Sequence, residues 1–251
     1  MTNLAEWNTG PSLREPASVI DRLLVVLDAV HESGGSASVT QIAALTGMPK
    51  STVSRLVSDL VANRYLARTD SAVTLGLRLF ELGVRARVPR RLLAAAAPVI
   101  RDLWRRTGER VGVWVNNGDS MISVVTLAGR LPDLPVRAGM RSPALTTASG
   151  KAYLAFCADD GLVDRVSAPL ASNAASTFRY ELSRVRENAL ATDVGIAYPG
   201  VVAVASPVLT GDRAVIGAIS LAGPGGSIDP ARVAPLVRDA SEELMSRLAA
   251  A

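Results

Sequence analysis

The 251-residue chain is poor in the side chains on which most enzyme chemistry rests. One cysteine, Cys157, excludes an intrachain disulfide, and one histidine, His31, leaves too few soft ligands for a zinc site. Ser-His-Asp and Cys-His mechanisms would both need His31 as base, and it falls in what reads as the first helix of a binding module. A metal held by carboxylates alone stays open, but neither catalysis nor a cofactor is expected. Long apolar runs are also missing. The longest, Leu92 to Ile100, is about half of the ~20 residues a membrane span needs, so no membrane partner is expected. The first eighteen residues carry Glu6, Arg14 and Glu15 around Gly10-Pro11 without an apolar core. They read as a loose polar arm (1–17), not a secretory signal, and the expected location is the cytoplasm. Lysine is nearly absent: Lys50 and Lys151 stand among 27 basic residues, and the rest are arginine.

What is present is a globular composition, 49% hydrophobic, enough for one sizeable core or two smaller ones. The net charge of +4 does not by itself signal nucleic acid. Arginines cluster between Arg85 and Arg110, where a solvated helix face and a phosphate or partner contact are equally good readings.

From Ser18, Ile20, Leu23, Leu24, Leu27 and Val30 recur at helical spacing, and Ser33-Gly34-Gly35-Ser36 ends the run. Ser38 with Gln41 forms a capping box opening a helix over Val39 to Thr46, which Gly47 stops. Pro49 suits the first turn of a third helix with the apolar stripe Val53, Leu56, Val57 and Leu60. Tyr65 to Arg68 and Val73 to Leu75 flank the turn-prone Thr69-Asp70-Ser71-Ala72 as a small hairpin. Helix, helix, turn, helix, hairpin is a winged helix-turn-helix, placed at 18–82. A linker and connecting helix follow at 83–107, with a kink expected at Pro98. Residues 108–251 mix strand-like and helical segments without strict alternation, which predicts an α+β domain with a mainly antiparallel sheet flanked by helices. Its strands fall at Val111 to Val115, Met121 to Leu127, Val201 to Val208 and Ala214 to Leu221. Its helices fall at Lys151 to Cys157, Glu181 to Asn188 and from Asp229-Pro230 onward.

In a helix-turn-helix the second helix enters the major groove, and the side chains near its amino end reach base edges. Here they are Lys50, Ser51, Thr52, Ser54 and Arg55, facing away from the apolar stripe. Caps and solvated faces use the same residues, but the hairpin at the right distance favours DNA contact. Arg68 on the hairpin is placed on the backbone or the minor groove. Thr40 and Gln41 are candidate phosphate contacts that capping explains equally well. Further on, Thr146-Thr147-Ala148-Ser149-Gly150 leads into a helix whose amino end suits a carboxylate, although capping by Ser149 would explain the same residues. Lys151 reads as a solvated lysine, Cys157 as core, and Trp104 and Trp114 as packing, with Trp114 a lesser candidate for a pocket wall.

The run Ser38-Val-Thr-Gln-Ile-Ala-Ala-Leu-Thr-Gly-Met-Pro-Lys-Ser-Thr-Val-Ser-Arg-Leu56, followed by Leu75-Gly76 and Leu82-Gly83, resembles the DNA-binding region of the IclR family of bacterial transcriptional regulators. Thr107-Gly108-Glu109, Ala148-Ser149-Gly150-Lys151-Ala152, the Asp193 to Pro207 segment and Ile219 to Pro224 match that family's effector-binding domain in order. The resemblance implies a winged helix, a linker helix and a GAF-like sensor domain. It also implies homodimers or dimers of dimers that grip double-stranded operator DNA in response to a small-molecule effector. By the same resemblance, Ala148 and Ser149 lie at a backbone anion cradle, Asp193 and Ser220 at polar wall positions, and Leu131, Leu134, Ser142 and Val201 along the sides. The chain departs from family members that bind small keto acids. Ala203 replaces a cysteine, Ala222 a second serine, and Ile196 a common acidic residue. These exchanges imply an organic acid with an aromatic or extended aliphatic body. The competing reading is an enzyme or ligand-storage protein built on the second domain, with the first used for protein contacts.

Overall fold

A computed structural model describes residues 18–131 and 138–250. The polar arm and Leu134 lie outside the described residues. The chain forms two compact units, Met1–Arg87 and Val88–Ala251.

The first unit opens with α1 (Val19–Glu32), whose N-cap Ser18 and Asp21 form a reciprocal capping box. After β1 (Ser36–Ala37), Ser38 and Gln41 repeat the device at the start of α2 (Val39–Thr46), and Gly47 ends it in the left-handed conformation. Helix α3 (Lys50–Ala62) buries Val53, Leu56, Val57 and Leu60 against Val26, Val30 and Ile42. Strands β2 (Leu66–Arg68) and β3 (Val73–Leu75) form the wing, and β1 adds to β3, giving the order β1-β3-β2. Gly76 lies on the backbone of Arg64 and Tyr65 so closely that a Cβ would sit 2.2 Å from the Arg64 carbonyl oxygen. Helix α4 (Leu77–Gly83) follows.

Helix α5 (Arg87–Thr107), all but its first residue in the second unit, continues through the exposed Pro98. Strands β4 (Arg110–Asn117), β5 (Ser120–Leu127) and β6 (Arg141–Pro143) come next, then α6 (Ala148–Phe156), α7 (Asp160–Ser167) and α8 (Ser172–Asn188). Strands β7 (Ala191–Val194), β8 (Val201–Leu209) and β9 (Val215–Pro224) and helix α9 (Pro230–Ala249) complete it. The sheet is wholly antiparallel among the described residues, in the order β6-β5-β4-β9-β8-β7. The α+β expectation holds, with α7, β1, β6 and β7 added by the structure.

Side chains alternate between the faces of a strand. On one face Val111, Val113, Val202, Val204, Val208, Ile219 and Leu221 pack against α9 and α5. On the other, Trp114, Met121, Ala205 and Ala218 pack against α6, which crosses β7, β8 and β9. Leu92, Ala96, Val99, Ile100 and Leu103 make α5 a wall of this core, so a helix expected as part of the linker is structural material of the second unit. Its apolar stripe, not its arginines, decides where it goes. Glu109, buried where β4 begins, accepts hydrogen bonds from Arg130 and, at 3.1 Å, from Ser227.

Leu103 is 1% exposed within this wall, so Leu103→Ala should destabilise the second unit by about 2–5 kcal/mol. Urea unfolding followed by tryptophan fluorescence measures it, since Trp104 and Trp114 both belong to this unit. An unchanged midpoint would contradict the assignment of α5 to the core.

Candidate functional site

Two surfaces concentrate chemistry. The first is the leading end of α3. Because its apolar stripe is committed to the core, the opposite side is left with Lys50, Ser51 and Arg55 exposed and Thr52 and Ser54 half-buried. Lys50, Arg55 and Arg68 form no ion pair among the described residues. Arg68 lies exposed on β2 of the wing. Gln41 is occupied, its Oε1 accepting from the Ser38 N–H at 2.8 Å, while Thr40 is exposed on the first turn of α2.

The second surface is the face of the large sheet beneath α6. The cap of α6 is Thr147, not Ser149. Thr147 Oγ1 accepts from the Gly150 N–H at 3.2 Å, and the Ser149 hydroxyl donates to the same oxygen at 3.4 Å. A Cβ on Gly150 would meet the Ala144 carbonyl oxygen at 2.1 Å, so only glycine lets the helix start lie this close to the preceding segment. Ala148 and Ser149 are buried.

Lys151 is buried too, 3% exposed, which corrects the reading of a solvated lysine. Its ammonium group donates to Glu181 at 2.7 Å and to the Thr192 carbonyl at 3.1 Å, tying α6 to α8 and β7. The next residue, Asp193, is buried, and its carboxylate accepts from the N–H groups of Ile196 at 2.9 Å and Ala197 at 3.3 Å. It thereby folds back the loop that joins β7 to β8. Ile196 points outward, 60% exposed, and does not contribute to a buried wall. Tyr198 of this loop reaches Ser142 on β6, with hydroxyl oxygens 3.2 Å apart, so a contact joins the two edges of the curled sheet.

Trp114 Nε1 donates to the Ser220 hydroxyl at 2.8 Å across β4 and β9. Val201 is buried, Leu131 half-buried. Trp104, 39% exposed, is less a packing residue than expected; it donates to the Ala128 carbonyl at 2.6 Å. Cys157 is half-buried just beyond α6 and packs with the cluster beneath it.

The sequence reading missed Arg110. Its position within a run of arginines suggested a solvated helix face, yet it lies on β4, 5% exposed, with a guanidinium N–H 3.6 Å from the Met140 sulfur. The available signal was the alternation Arg110-Gly112-Trp114 against Val111-Val113-Val115, which puts Arg110 on the same face as Trp114. Burial lowers the Arg110 pKa from the usual arginine value, and the nearby Tyr198 acts in the opposite sense. Arginine keeps its charge even so.

A winged helix followed by a GAF-like α/β unit defines a transcriptional regulator that couples a DNA-binding module to a sensing domain. Residues 19–70 match the IclR helix-turn-helix domain, and residues 87–246 match the C-terminal domain of the bacterial transcriptional regulator IclR. The chain belongs to the IclR family. It is 27% identical over 252 residues to the HTH-type transcriptional repressor AllR of Escherichia coli K12, covering 95% of this chain and 93% of the relative. The fold superposes on an IclR homologue from Microbacterium hydrocarbonoxydans complexed with 4-hydroxybenzoate, with a TM-score of 0.82 at 22% identity, covering 93% of this chain and all of the other. The Thermotoga maritima IclR aligns with a TM-score of 0.69 at 23% identity, covering 91% of this chain and 98% of that one. Among the described residues no helix is long and apolar enough to cross a membrane, and no cluster of His, Cys, Asp or Glu would hold a metal.

Burial raises the Asp193 carboxyl above its ordinary pKa, against the opposing pull of the Ile196 and Ala197 N–H groups and of Lys151. An acid whose folded pKa is raised favours folding while protonated and loses that contribution as pH rises through the raised value. Asp193→Asn keeps an acceptor for the loop and removes the charge. Its stability relative to wild type should therefore increase with pH just above the ordinary carboxylate range. Denaturant unfolding across that range checks this; a difference independent of pH would contradict it.

Proposed function

We propose that this protein binds double-stranded operator DNA as a dimer or a dimer of dimers, and that a small organic acid bound in the second unit changes its grip. The observation that carries the DNA reading is the leading end of α3, where Lys50, Ser51, Thr52, Ser54 and Arg55 stand together away from the core stripe. Lys50 and Arg55 would pair phosphate or guanine, and Ser51, Thr52 and Ser54 base edges or backbone. Arg68 on the wing and Thr40 would add backbone contacts; Gln41 would contribute through its main chain, its side chain being committed to the cap.

The DNA-binding domain is placed at 18–82, a connecting segment at 83–107 and the effector domain at 108–251, with α5 serving both as connector and as core. Pairing of two chains is supported by apolar side chains left exposed in the first unit, Val19, Ile20 and Leu24 on α1 and Leu77, Phe80 and Leu82 on α4. A single winged helix makes few contacts, so useful affinity requires two held at fixed spacing.

The effector site is placed on the sheet face beneath α6, lined by Ala148, Ser149, Asp193, Ser220, Ser142, Val201 and Ala203, with Leu131 at its side. The 4-hydroxybenzoate held by the Microbacterium homologue supports an aromatic acid as the ligand class. The alanines at 203 and 222 favour an apolar body over a short keto acid.

Lys50→Ala and Arg55→Ala should each weaken operator binding by ~1–3 kcal/mol with an unchanged circular dichroism spectrum. Fluorescence anisotropy on a labelled operator fragment measures it, alongside sedimentation showing a dimer or larger. Operator binding equal to wild type in both variants would remove α3 as the reading head.

A further inference from the structure

On the sheet face beneath α6, Trp114 does not bond the residue that stands opposite it. Its register partner on β9 is Ala218, yet its indole N–H reaches the hydroxyl of Ser220, the partner of Gly112. The side chain therefore leans two residues along β4 and lies across Gly112, where a Cβ would stand 2.8 Å from Nε1 and 3.2 Å from Cε2. Glycine weakens the interior of a strand and is found there where another group comes close, and here that group is the indole. Along the register line Gly112, Ser220, Ala205 and Ala191, on β4, β9, β8 and β7, Ser220 carries the one polar side chain, and it is 8% exposed. Two residues further along β9 is Ala222, which with its partner Ala203 keeps partial solvent access. An indole N–H is a donor only, so in this pair the Ser220 oxygen is the acceptor. Among the described residues the Ser220 hydroxyl gives its own proton to no other group.

We infer that Trp114 is a positioning residue of the effector site: by donating to the Ser220 oxygen it sets that hydroxyl to donate in turn, so the effector presents an acceptor oxygen, the carboxylate of the acid class proposed above, to β9. The inference rests on the effector-binding reading of this face and deepens it, because it names the end of the ligand that meets Ser220 and the residue that imposes it. A hydroxyl can donate and accept, so a serine alone makes no fixed demand on a ligand. Once its oxygen accepts from an indole, the O–H is polarised and becomes the better donor. A carboxylate placed against it gains a charge-assisted hydrogen bond, about twice as strong as a neutral one. A ligand that offers only a donor at that point meets another donor and leaves buried polar groups unpaired, which is the situation in which a site discriminates most strongly. Phenylalanine would keep an aromatic ring on β4 without the N–H, so what tryptophan adds at this position is the bond to Ser220. In the competing account Ser220 does no more than satisfy a buried indole. That account makes acid binding indifferent to the indole N–H, and the two separate by experiment.

The test is isothermal calorimetry with benzoate, 4-hydroxybenzoate and phenylacetate on wild type, Trp114→Phe, Ser220→Ala and the double variant. Ser220→Ala should weaken the acids by about tenfold, and Trp114→Phe by about threefold or more. The double variant should bind no worse than Ser220→Ala, because Trp114 acts through the hydroxyl. Losses that multiply in the double variant, or acid binding by Trp114→Phe equal to wild type, overturn the assignment and leave the effector site standing. A second readout needs no substitution at position 114. In nitrogen-15-labelled wild type, saturation with an acid should move the Trp114 indole N–H resonance downfield, since a hydroxyl that donates also accepts more strongly, and in Ser220→Ala that shift should vanish. If Trp114→Phe fails to fold, this readout decides: a resonance unmoved in wild type, or moved equally in Ser220→Ala, overturns the assignment. Absence of binding by all three acids removes the effector reading and the assignment together.

Discussion

The second unit depends on one constraint: the two faces of its antiparallel sheet carry side chains of different size. Along β8 and β9, Val202, Val204, Val208, Ile219 and Leu221 point one way and Ala203, Ala205, Ala218, Ser220 and Ala222 the other. The large face is covered by α5 and α9, whose apolar side chains are buried against it. The small face admits α6, itself built of Ala148, Gly150, Ala152 and Ala155 where it is buried, while Ala203 and Ala222 keep partial solvent access. A filled core face and a face of small side chains are thus obtained from the same strands by alternation alone.

Polar groups on the small face are spent in a connected set of contacts. Lys151 holds the carbonyl of Thr192. Asp193 next to it holds the loop of Ile196 and Ala197, and Tyr198 of that loop meets Ser142 at the opposite edge of the sheet. Each buried charge has hydrogen-bonding partners, as burial requires. The loop that joins β7 to β8 is thus held by Asp193, a residue of the proposed effector site.

The winged helix was legible in the sequence because its signals are local. The capping box of Ser38 and Gln41, the glycine at 47 and an apolar stripe at helical spacing each act within a few residues, and the limits expected for α2 are those observed. The long strands β4, β5, β8 and β9 were legible as apolar runs bounded by turns. Strands β1, β6 and β7 were not, being two to four residues long and stabilised by pairing with distant partners. At the candidate site, Asp193, Ser220 and Ser149 were reached through family resemblance, while Arg110 and the burial of Lys151 were not. A charged residue reads as solvated until its tertiary partners are known, and those of Lys151 come from α8 and β7, 30 and 41 residues away.

The central claim is that occupancy of the space above Ala203 and Ala222 changes affinity for DNA, a coupling between two sites that only a differential measurement can establish. Filling that space with Ala203→Phe and titrating a labelled operator fragment by anisotropy, with and without an acid that binds wild type, measures it directly. The account predicts that the acid shifts operator affinity in wild type and leaves Ala203→Phe unmoved. An equal shift in both proteins would contradict it.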